Sequence, residues 1–470
     1  MKSKVFYSIS NFMNTKYFIM LVSILTFILY AFNAIEVACF FYCICIILGL
    51  VTNANFSSGL SVIFLSIATT QDDAEIKYNT PYIILISLLY FPIAVLLVIK
   101  LISNREEYIE KLKHNSLLYI MLITLLIMAL SCVNSPSLKY FGLGIGHYAI
   151  TVGVFLVGLL FIKTDKKTID NLIFSIICLA LVATAEYAYR FLELLHEGTM
   201  FELIVISKLT EVGWLHPNHL AIIVNVGILT SLYYFIVAKN FKDKIFGFIS
   251  FWILLTACVI MLCRGGYFAL IVTLPLMVAF YIYYIKNHRM QIYDDYIYLY
   301  ISIAIALLAL VVLKSNGSFN LILDMFKDRG ASLSGRSEIY KIAIDNLKKH
   351  FFIGTGVYSS RYYIELNYPD NAVYNYHNCI LQASCCGMLG IIAFIAYIVY
   401  LIKSCLKKNW FAMFVLILIV YYLSHGMIDT LFFNKRIEII LLLMVSQVYK
   451  ISSEDRVELG DNTFDFIYLF

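Results

Sequence analysis

Charge is scarce in this 470-residue chain: Asp, Glu, Lys and Arg supply 14% of it, against 61% hydrophobic residues and a mean hydropathy of +0.84. Soluble domains carry about 25% charged residues, so a soluble helical core is excluded. No CxxC pair occurs, and the eleven cysteines are an odd number. Cys39, Cys43, Cys45, Cys178 and Cys258 lie in apolar runs, where cysteine behaves as a small hydrophobe. This excludes a disulfide framework and a cysteine metal site. Self-similarity at a period of roughly 20–50 residues is also missing. The N-terminus has no small-residue cleavage site leading into a soluble domain. Lys2, Lys4 and Lys16 precede the apolar run 17–32, and the next run begins at Val37, which reads as an uncleaved first helix.

What is present is a succession of long apolar runs. A hydrocarbon core about 30 Å thick needs about 20 apolar residues per helical crossing. The sequence predicts crossings near 17–32, 37–52, 57–70, 80–99, 116–133, 146–162, 171–190, 215–238, 244–262, 266–285, 297–313, 379–402, 409–424 and 431–449. The second and third are short enough to form a re-entrant pair, so the expectation is twelve to fourteen transmembrane helices in a single integral membrane domain, 1–470. The fold class is an all-α polytopic membrane protein. The short loops holding Lys100/Arg105/Lys111/Lys113, Lys163/Lys166/Lys167, Lys239/Lys242/Lys244, Lys286/Arg289 and Lys403/Lys407/Lys408 alternate along the chain. Cationic short loops face the cytoplasm, which puts both termini there and one large loop, 314–378, outside.

That external loop concentrates the unusual residues. Lys327, Asp328 and Arg329 come first. Ser334 or Gly335 is placed to cap a helix, and Ile339, Ile342, Ala343, Leu347 and Phe351 then recur at helical spacing with Arg336, Lys341, Lys348 and Lys349 elsewhere on the wheel. This describes an amphipathic helix lying on the membrane surface. Gly354 and Gly356 bracket a turn. Tyr358, Tyr362, Tyr363, Tyr368, Tyr374 and Tyr376 follow, with Arg361, Glu365 and Asp370 interspersed. Tyrosine suits both sugar stacking and membrane interfaces in general. His377 stands just before an apolar helix that Asn378 is suited to cap, and a neutral imidazole accepts a proton from a hydroxyl near pH 7.

Other external positions join this set. Arg264 lies in a very short outer loop, and Lys435 and Arg436 begin the last crossing from the outer side. Cations on the non-cytoplasmic side point to an anionic partner, or to snorkelling toward lipid phosphates. Glu186 and Arg190 are four apart and are expected to pair as a structural unit. His216-Pro217-Asn218-His219 places a proline at a helix start, with His216 or Asn218 facing the cavity. Ser424-His425-Gly426 and Asp429 sit at another outer end, with Asp429 placed to neutralise Lys435 or Arg436.

Together these residues resemble the bacterial O-antigen ligase and polysaccharide polymerase superfamily, the Wzy-like integral membrane glycosyltransferases. Cys263-Arg264-Gly265-Gly266 before an apolar helix is similar to that family's Ser-Arg-Gly signature, with cysteine where the family has serine. Gly335-Arg336 through Asn346, then Phe352-Ile353-Gly354-Thr355-Gly356, resembles its arginine, helix and Gly-x-Gly block. His377-Asn378, Leu381-Gln382 and Gly387-Met388-Leu389-Gly390 resemble its His-Asn block. His216-Pro217-Asn218 resembles its Asn-Pro-Asn turn, and His425 with Asp429 a late motif. Lys208 and Glu211 occupy the region where some members carry an arginine. The resemblance covers roughly residues 205–450.

The resemblance implies an undecaprenyl-pyrophosphate-linked glycan as donor, in the bacterial cytoplasmic (inner) membrane, with transfer on the outer face. Guanidinium groups grip phosphate oxygens with a planar fork and stay charged, so Arg264 and Arg336 are expected to hold the leaving pyrophosphate and His377 to be the base, with inversion at the anomeric carbon. Asn218, His216, Tyr376, Arg361, His425 and Arg436 are the expected substrate-binding residues. No Asp-x-Asp motif or acidic pair is convincingly placed outside, and Asp72-Asp73 reads as a solvated loop, so neither a metal, a cofactor nor a nucleotide sugar is expected. The partners are the lipid-linked glycan and membrane lipid, with a chain-length regulator as a further candidate and no nucleic acid.

A polymerase would join two lipid-linked repeat units into a capsule, exopolysaccharide or O-antigen. A ligase would transfer the glycan to lipid A-core. A flippase or transporter for polyprenyl-linked sugars is a third reading, and it places its charges at the bilayer midplane between repeats. Lysine is only a point charge at a bidentate site, so Arg264→Lys and Arg336→Lys should each impair turnover. Full activity of both variants would remove the arginines from the leaving-group site.

Overall fold

A computed structural model describes residues 2–52, 62, 80–113, 115–195, 217–261, 263–288, 297–298, 300–305, 307, 311, 314, 333–367, 375–407 and 409–451. Among them every regular element is helical. In chain order they are α1 (Lys2–Met13), α2 (Lys16–Ala31), α3 (Ile35–Val51), α4 (Thr80–Ser103), α5 (Arg105–Lys113), α6 (Ser116–Leu130), α7 (Leu138–Phe161), α8 (Lys166–Leu195) and α9 (Pro217–Val237). There follow α10 (Phe241–Met261), α11 (Arg264–His288), α12 (Leu333–Lys349), α13 (Ser359–Asn367), α14 (Cys379–Ala383), α15 (Gly387–Cys405), α16 (Trp410–Gly426) and α17 (Lys435–Lys450). Short 3₁₀ turns occupy Ser131–Asn134, Ser384–Cys386 and Leu431–Phe433.

The chain is an all-α polytopic membrane protein. Among the described residues, seven helices are long and apolar enough to cross a bilayer: Ser116–Asn134, Leu138–Phe161, Lys166–Leu192, Asn218–Val237, Phe241–Met261, Arg264–Asn287 and Cys379–Cys405. An eighth results if α1 and α2, bent by 70°, make one span. Glu36–Val51, Phe91–Ser103 and Trp410–Gly426 are shorter apolar helices. The expected crossing at 57–70, apart from residue 62, and part of that at 297–313 lie outside the described residues.

Several helices start where side chains satisfy the first free N–H groups. The Thr15 hydroxyl accepts from the Phe18 N–H, Asn115 Oδ1 from Leu118 at 2.9 Å, and Asn409 Oδ1 from Phe411 at 2.8 Å and Ala412 at 3.2 Å. Helices α8 and α9 form the centre: 83% of each span is buried, against 33% for α10 and α11. They approach closely because Gly227 faces Ala180, where a Cβ on the glycine would stand 2.3 Å from the alanine methyl. Small residues at such contacts suit helices in lipid, where apolar acyl tails leave no hydrophobic drive for helices to associate. Helices α16 and α17 complete the core, with Leu441, Leu442 and Leu443 fully buried.

Over one end of the bundle sits a cap made of α12, α13, residues 375–378 and α14. The apolar face of α12 does not lie on the membrane surface as expected. Ile339 and Ala343 are buried with Ile364, Tyr376 and Cys385, and Ile342 and Leu381 pack against them. The 3.6-residue period was read correctly, but its partner is protein. Ile344, Phe351, Phe352, Leu366 and Ile380 are among the apolar side chains left exposed here.

The cap is joined to the bundle through main chain. The Thr355 and Gly356 N–H groups donate to the Cys385 carbonyl at 2.6 and 2.9 Å. In return the Met388 and Leu389 N–H groups donate to the carbonyls of Phe351 and Phe352 at 2.7 and 3.3 Å. These are two of the N–H groups that open α15 and would otherwise be unsatisfied. The crossing needs glycine on both sides: Gly354 has φ +72° and Gly387 φ +71°. A Cβ on Gly354 would lie 2.3 Å from the Gly387 nitrogen, and one on Gly387 2.5 Å from the Phe352 carbonyl carbon. Backbone atoms cannot swing aside. Asn346 adds a side-chain tie, donating to the Thr355 hydroxyl at 3.1 Å.

Gly387→Ala should therefore lower the thermal stability of the purified protein, with roughly 1–3 kcal/mol from the positive-φ backbone alone and more from the backbone clash. Gly142→Ala, where a Cβ meets nothing within 4 Å, should be neutral or slightly stabilising. Equal melting temperatures for Gly387→Ala and the wild type would show that the cap does not depend on this crossing.

Candidate functional site

The residues after the cap loop are fixed by polar side chains of the next helix. Asn378 caps α14, its Oδ1 accepting from Ile380 at 2.9 Å and Leu381 at 3.1 Å. Its Nδ2 also donates to the Met427 carbonyl at 3.0 Å, so the cap residue holds the turn that follows α16. Gln382 is buried and works on both sides of the cap. Its Oε1 accepts from the Tyr376 N–H at 3.1 Å, and its Nε2 donates to the Val357 carbonyl and, at 3.1 Å, to the Ser360 hydroxyl. The stretch 375–378 is thus tied to the Gly-x-Gly turn and to α16 at once.

His377 stands between these ties with φ +49°, a left-handed conformation uncommon for a residue with a Cβ and found most often where the surroundings enforce it. Its N–H donates to Asn375 Oδ1 at 2.9 Å. Its Nδ1 lies 3.8 Å from Asp429 Oδ1. That is ion-pair distance and too long for a hydrogen bond, and Nδ1 has no hydrogen-bond partner among the described residues. Asp429 is buried. Its N–H bonds back to the His425 carbonyl at 3.0 Å, its carbonyl accepts from Cys379 Sγ at 3.3 Å, and its Oδ1 accepts from the Thr430 N–H at 2.7 Å. Burial alone would raise the Asp429 carboxyl. The neighbouring imidazole of His377, with those of His219 and His425, outweighs this and holds the group below the usual carboxylate range.

His425 is buried in the last turn of α16, with Nδ1 3.2 Å from the Tyr421 hydroxyl. Its electrostatic neighbours are Asp429, His219 and Arg336. His219 comes from the first turn of α9 and Arg336 from the first turn of α12. Arg264, exposed, is the first residue of α11, and the adjoining Gly265 packs directly on the His425 ring. Segments far apart in sequence therefore meet at one end of the bundle, each through a residue at or beside a helix terminus. A carboxylate behind one imidazole nitrogen orients the ring and leaves the other nitrogen to take a proton.

The remaining expected residues fall in different places. Tyr376 is fully buried in the cap core, so it presents no face for stacking on a sugar. The Arg361 Nε donates to Glu365 Oε1 at 2.7 Å, and its guanidinium lies 5.4 Å over the Tyr140 ring, which ties α13 to α7. Tyr140 closes the unit by donating to Glu365 Oε2 at 3.2 Å. Asn218 is half-buried beside His219 in α9. His216, and with it Lys208, Glu211, Asp72-Asp73, Lys327, Asp328, Arg329, Tyr368, Asp370 and Tyr374, lies outside the described residues, as do the side chains of Lys435 and Arg436. The expected Glu186–Arg190 pair does not form. Glu186 is buried with neither carboxylate oxygen hydrogen-bonded among the described residues, while Arg190 is exposed.

Two residues were undervalued in sequence. Asp429 is expected to neutralise Lys435 or Arg436 and to share a late motif with His425, and His219 is expected only as part of a turn. The available signals were Asp429 standing four residues after His425 and a second histidine at the start of α9. Neither indicates a partner across the fold.

Residues 249–395 match the family model described as O-antigen ligase. The resemblance seen in the motifs is therefore shown over a narrower stretch than 205–450, one that contains Arg264, Arg336 and His377 and stops before His425 and Asp429. Over that stretch the chain is similar to the O-antigen ligase family. A search of the curated proteins finds no match.

Asp429→Asn should reduce turnover at least about tenfold if the carboxylate serves the His377 imidazole. It should also change stability in a pH-dependent way. The folded carboxyl titrates below its unfolded value of about 3.9, so its stabilisation is present above that pH and is lost as pH falls through the folded value. The gap in melting temperature between wild type and Asp429→Asn should be widest near neutrality and narrow toward pH 3. A gap that does not vary with pH would show that Asp429 is not held as an anion.

Proposed function

We propose that this protein is a polysaccharide polymerase that joins undecaprenyl-pyrophosphate-linked oligosaccharide repeat units on the outer face of the bacterial cytoplasmic membrane. The observation that carries the reading is the His377–Asp429 approach of 3.8 Å in the same cluster as Arg336, His219 and His425. His377 accepts the proton of the attacking sugar hydroxyl through the ring nitrogen that faces away from Asp429, and Asp429 stabilises the imidazolium that results. The hydroxyl oxygen forms the new bond to the donor's anomeric carbon. The bond from that carbon to the pyrophosphate oxygen breaks, and its electron pair leaves with the pyrophosphate. Attack from the opposite face inverts the centre. Arg264 and Arg336 hold the leaving group through charge-assisted hydrogen bonds, so positioning and electrostatics supply most of the rate gain. No metal enters this scheme.

The sidedness rests on the alternation of lysine-rich loops, which assigns the cap to the outer face and both termini to the cytoplasm. Against the transporter reading stands the position of the site groups: Arg264 opens α11, His377 precedes α14 and Asp429 follows α16, all at helix ends. A transporter's site lies near mid-bilayer between repeats. Abundant Ile, Lys, Asn, Phe and Tyr favour an AT-rich genome and lean the reading toward a polymerase. A ligase acting on lipid A-core is the second reading, favoured by the description of the family that residues 249–395 match.

The test is surface-glycan length in a deletion strain complemented with wild type or His377→Ala, with membrane levels of each protein measured. Loss of a general base costs roughly 10²–10⁴-fold in rate. Single repeat units accumulating on the lipid carrier support the polymerase. Long glycan retained on the carrier and missing from its final acceptor supports the ligase. Normal chains made by stable His377→Ala protein would remove His377 as the base and reopen the transporter reading.

A further inference from the structure

The sequence pairs Arg264 with two glycines, and the fold shows what each glycine faces. A Cβ on Gly265 would lie 2.8 Å from His425 Nε2 and 3.1 Å from its Cδ2, with Ile428 Cγ2 at 3.4 Å. A Cβ on Gly266 would lie 2.5 Å from Asn225 Nδ2. Neither obstacle has room to move. His425 is 1% exposed and Asn225 0%, and the His425 ring is held at Nδ1 by the Tyr421 hydroxyl at 3.2 Å and edge-on by the Tyr421 ring, with centroids 5.9 Å apart. The Asn225 amide also lies beside the Tyr421 hydroxyl, although it makes no hydrogen bond of full geometry. Asn225 of α9 and Tyr421 and His425 of α16 thus form one buried polar row under the first turn of α11. On its other side that helix is held by Tyr267, whose hydroxyl donates to the carbonyls of Cys258 and Val259 at 3.1 and 2.8 Å in α10.

We propose that Asn225, Tyr421 and His425 are positioning residues for Arg264: they form a rigid shelf on which Gly265 and Gly266 seat the start of α11, and so set where the Arg264 guanidinium emerges. This rests on the reading of Arg264 as a pyrophosphate ligand. His425 then has no direct contact with substrate, contrary to its expected role. It is buried behind the helix start, and its Nε2 faces Gly265. The chemistry accounts for three polar side chains inside an apolar bundle, where an incompletely bonded polar group is costly to bury. Apolar side chains of the same volume would fill the space but slide and rotate more freely. Close-packed polar groups, with the Tyr421–His425 hydrogen bond at 3.2 Å among them, fix one register. The glycines are the complement of that row, since any side chain there would lift the helix start by the ångström or so that costs about 10²-fold at a reacting centre.

A double-mutant cycle tests the shelf. The donor is the lipid-linked glycan extracted from the deletion strain that accumulates it, and the enzyme is the full chain in membranes, with protein level measured for each variant. Gly266→Ala should lower kcat about 10- to 100-fold with KM for the donor changed less than about twofold. Adding Asn225→Ala makes room for the new methyl, so the double variant should be several-fold more active than Gly266→Ala alone, although Asn225→Ala by itself lowers activity. Strict additivity of the two losses would overturn the shelf. If Gly266→Ala fails to accumulate, Asn225→Ala carries the test alone. A stable protein with lowered kcat and unchanged KM is expected, and wild-type kcat would overturn the proposal. Arg264→Ala, measured alongside, separates the two levels. If it is inactive while the cycle is additive, only the shelf falls. If it is fully active, the role of Arg264 falls and the shelf with it.

Discussion

Four main-chain hydrogen bonds, between residues 351–356 and 385–389, hold this structure's working end together. A bilayer-spanning bundle satisfies its own backbone within each helix, which leaves helix ends as the places where free N–H groups need partners. Here the partner of one such end is a turn from the cap. The bonds are possible because Gly354 and Gly387 adopt left-handed φ and lie against each other's backbone. From this junction Gln382 reaches Tyr376 and Val357, Asn378 reaches Met427, and His377 is delivered to Asp429. The cap is therefore a continuation of the bundle's hydrogen bonding and not a loop laid over it.

The same logic governs charge. In a chain this apolar, an isolated ion inside the bundle is expensive, and the polar groups of the site avoid that cost by sitting at termini. Arg264 and Arg336 are in first turns, His425 is in a last turn, and Asp429 follows one immediately. Asp429 remains anionic although buried because imidazoles face it. Farther in, Asn225 and Tyr421 continue the polar row under α11. The site is thus layered. Under the proposed function the groups that meet substrate are at the rim, and the groups that hold them are one turn deeper.

Much of this was legible beforehand. Apolar runs located most helices to within a few residues, and the motifs around Arg264, Arg336, Gly354 and His377 anticipated the stretch that matches O-antigen ligases. What failed had physical causes. The period of α12 was correct, but periodicity shows that a face is covered and not what covers it, so protein was mistaken for membrane. Tyr376 is expected to bind substrate by stacking, whereas its ring fills the cap core. Glu186 and Arg190 have the spacing of a pair, yet one side chain points into the bundle and the other out of it. Several expected crossings are helices of only 16 or 17 residues, as in α2, α3 and α16, which hydropathy alone cannot tell from full spans.

The sequence by itself determined the class of solvent, the helices, and the residue types at the working end. These follow from local quantities: apolar run length, capping side chains, glycine at turns. Only the tertiary structure decided which residues act together. That Asp429 belongs to His377, that His425 lies behind Gly265, and that Gly387 answers Gly354 are contacts between helix ends far apart in the chain. The identity of a residue states what it is able to bond, but the partner is chosen by how the helices pack, through close approaches that no local pattern encodes.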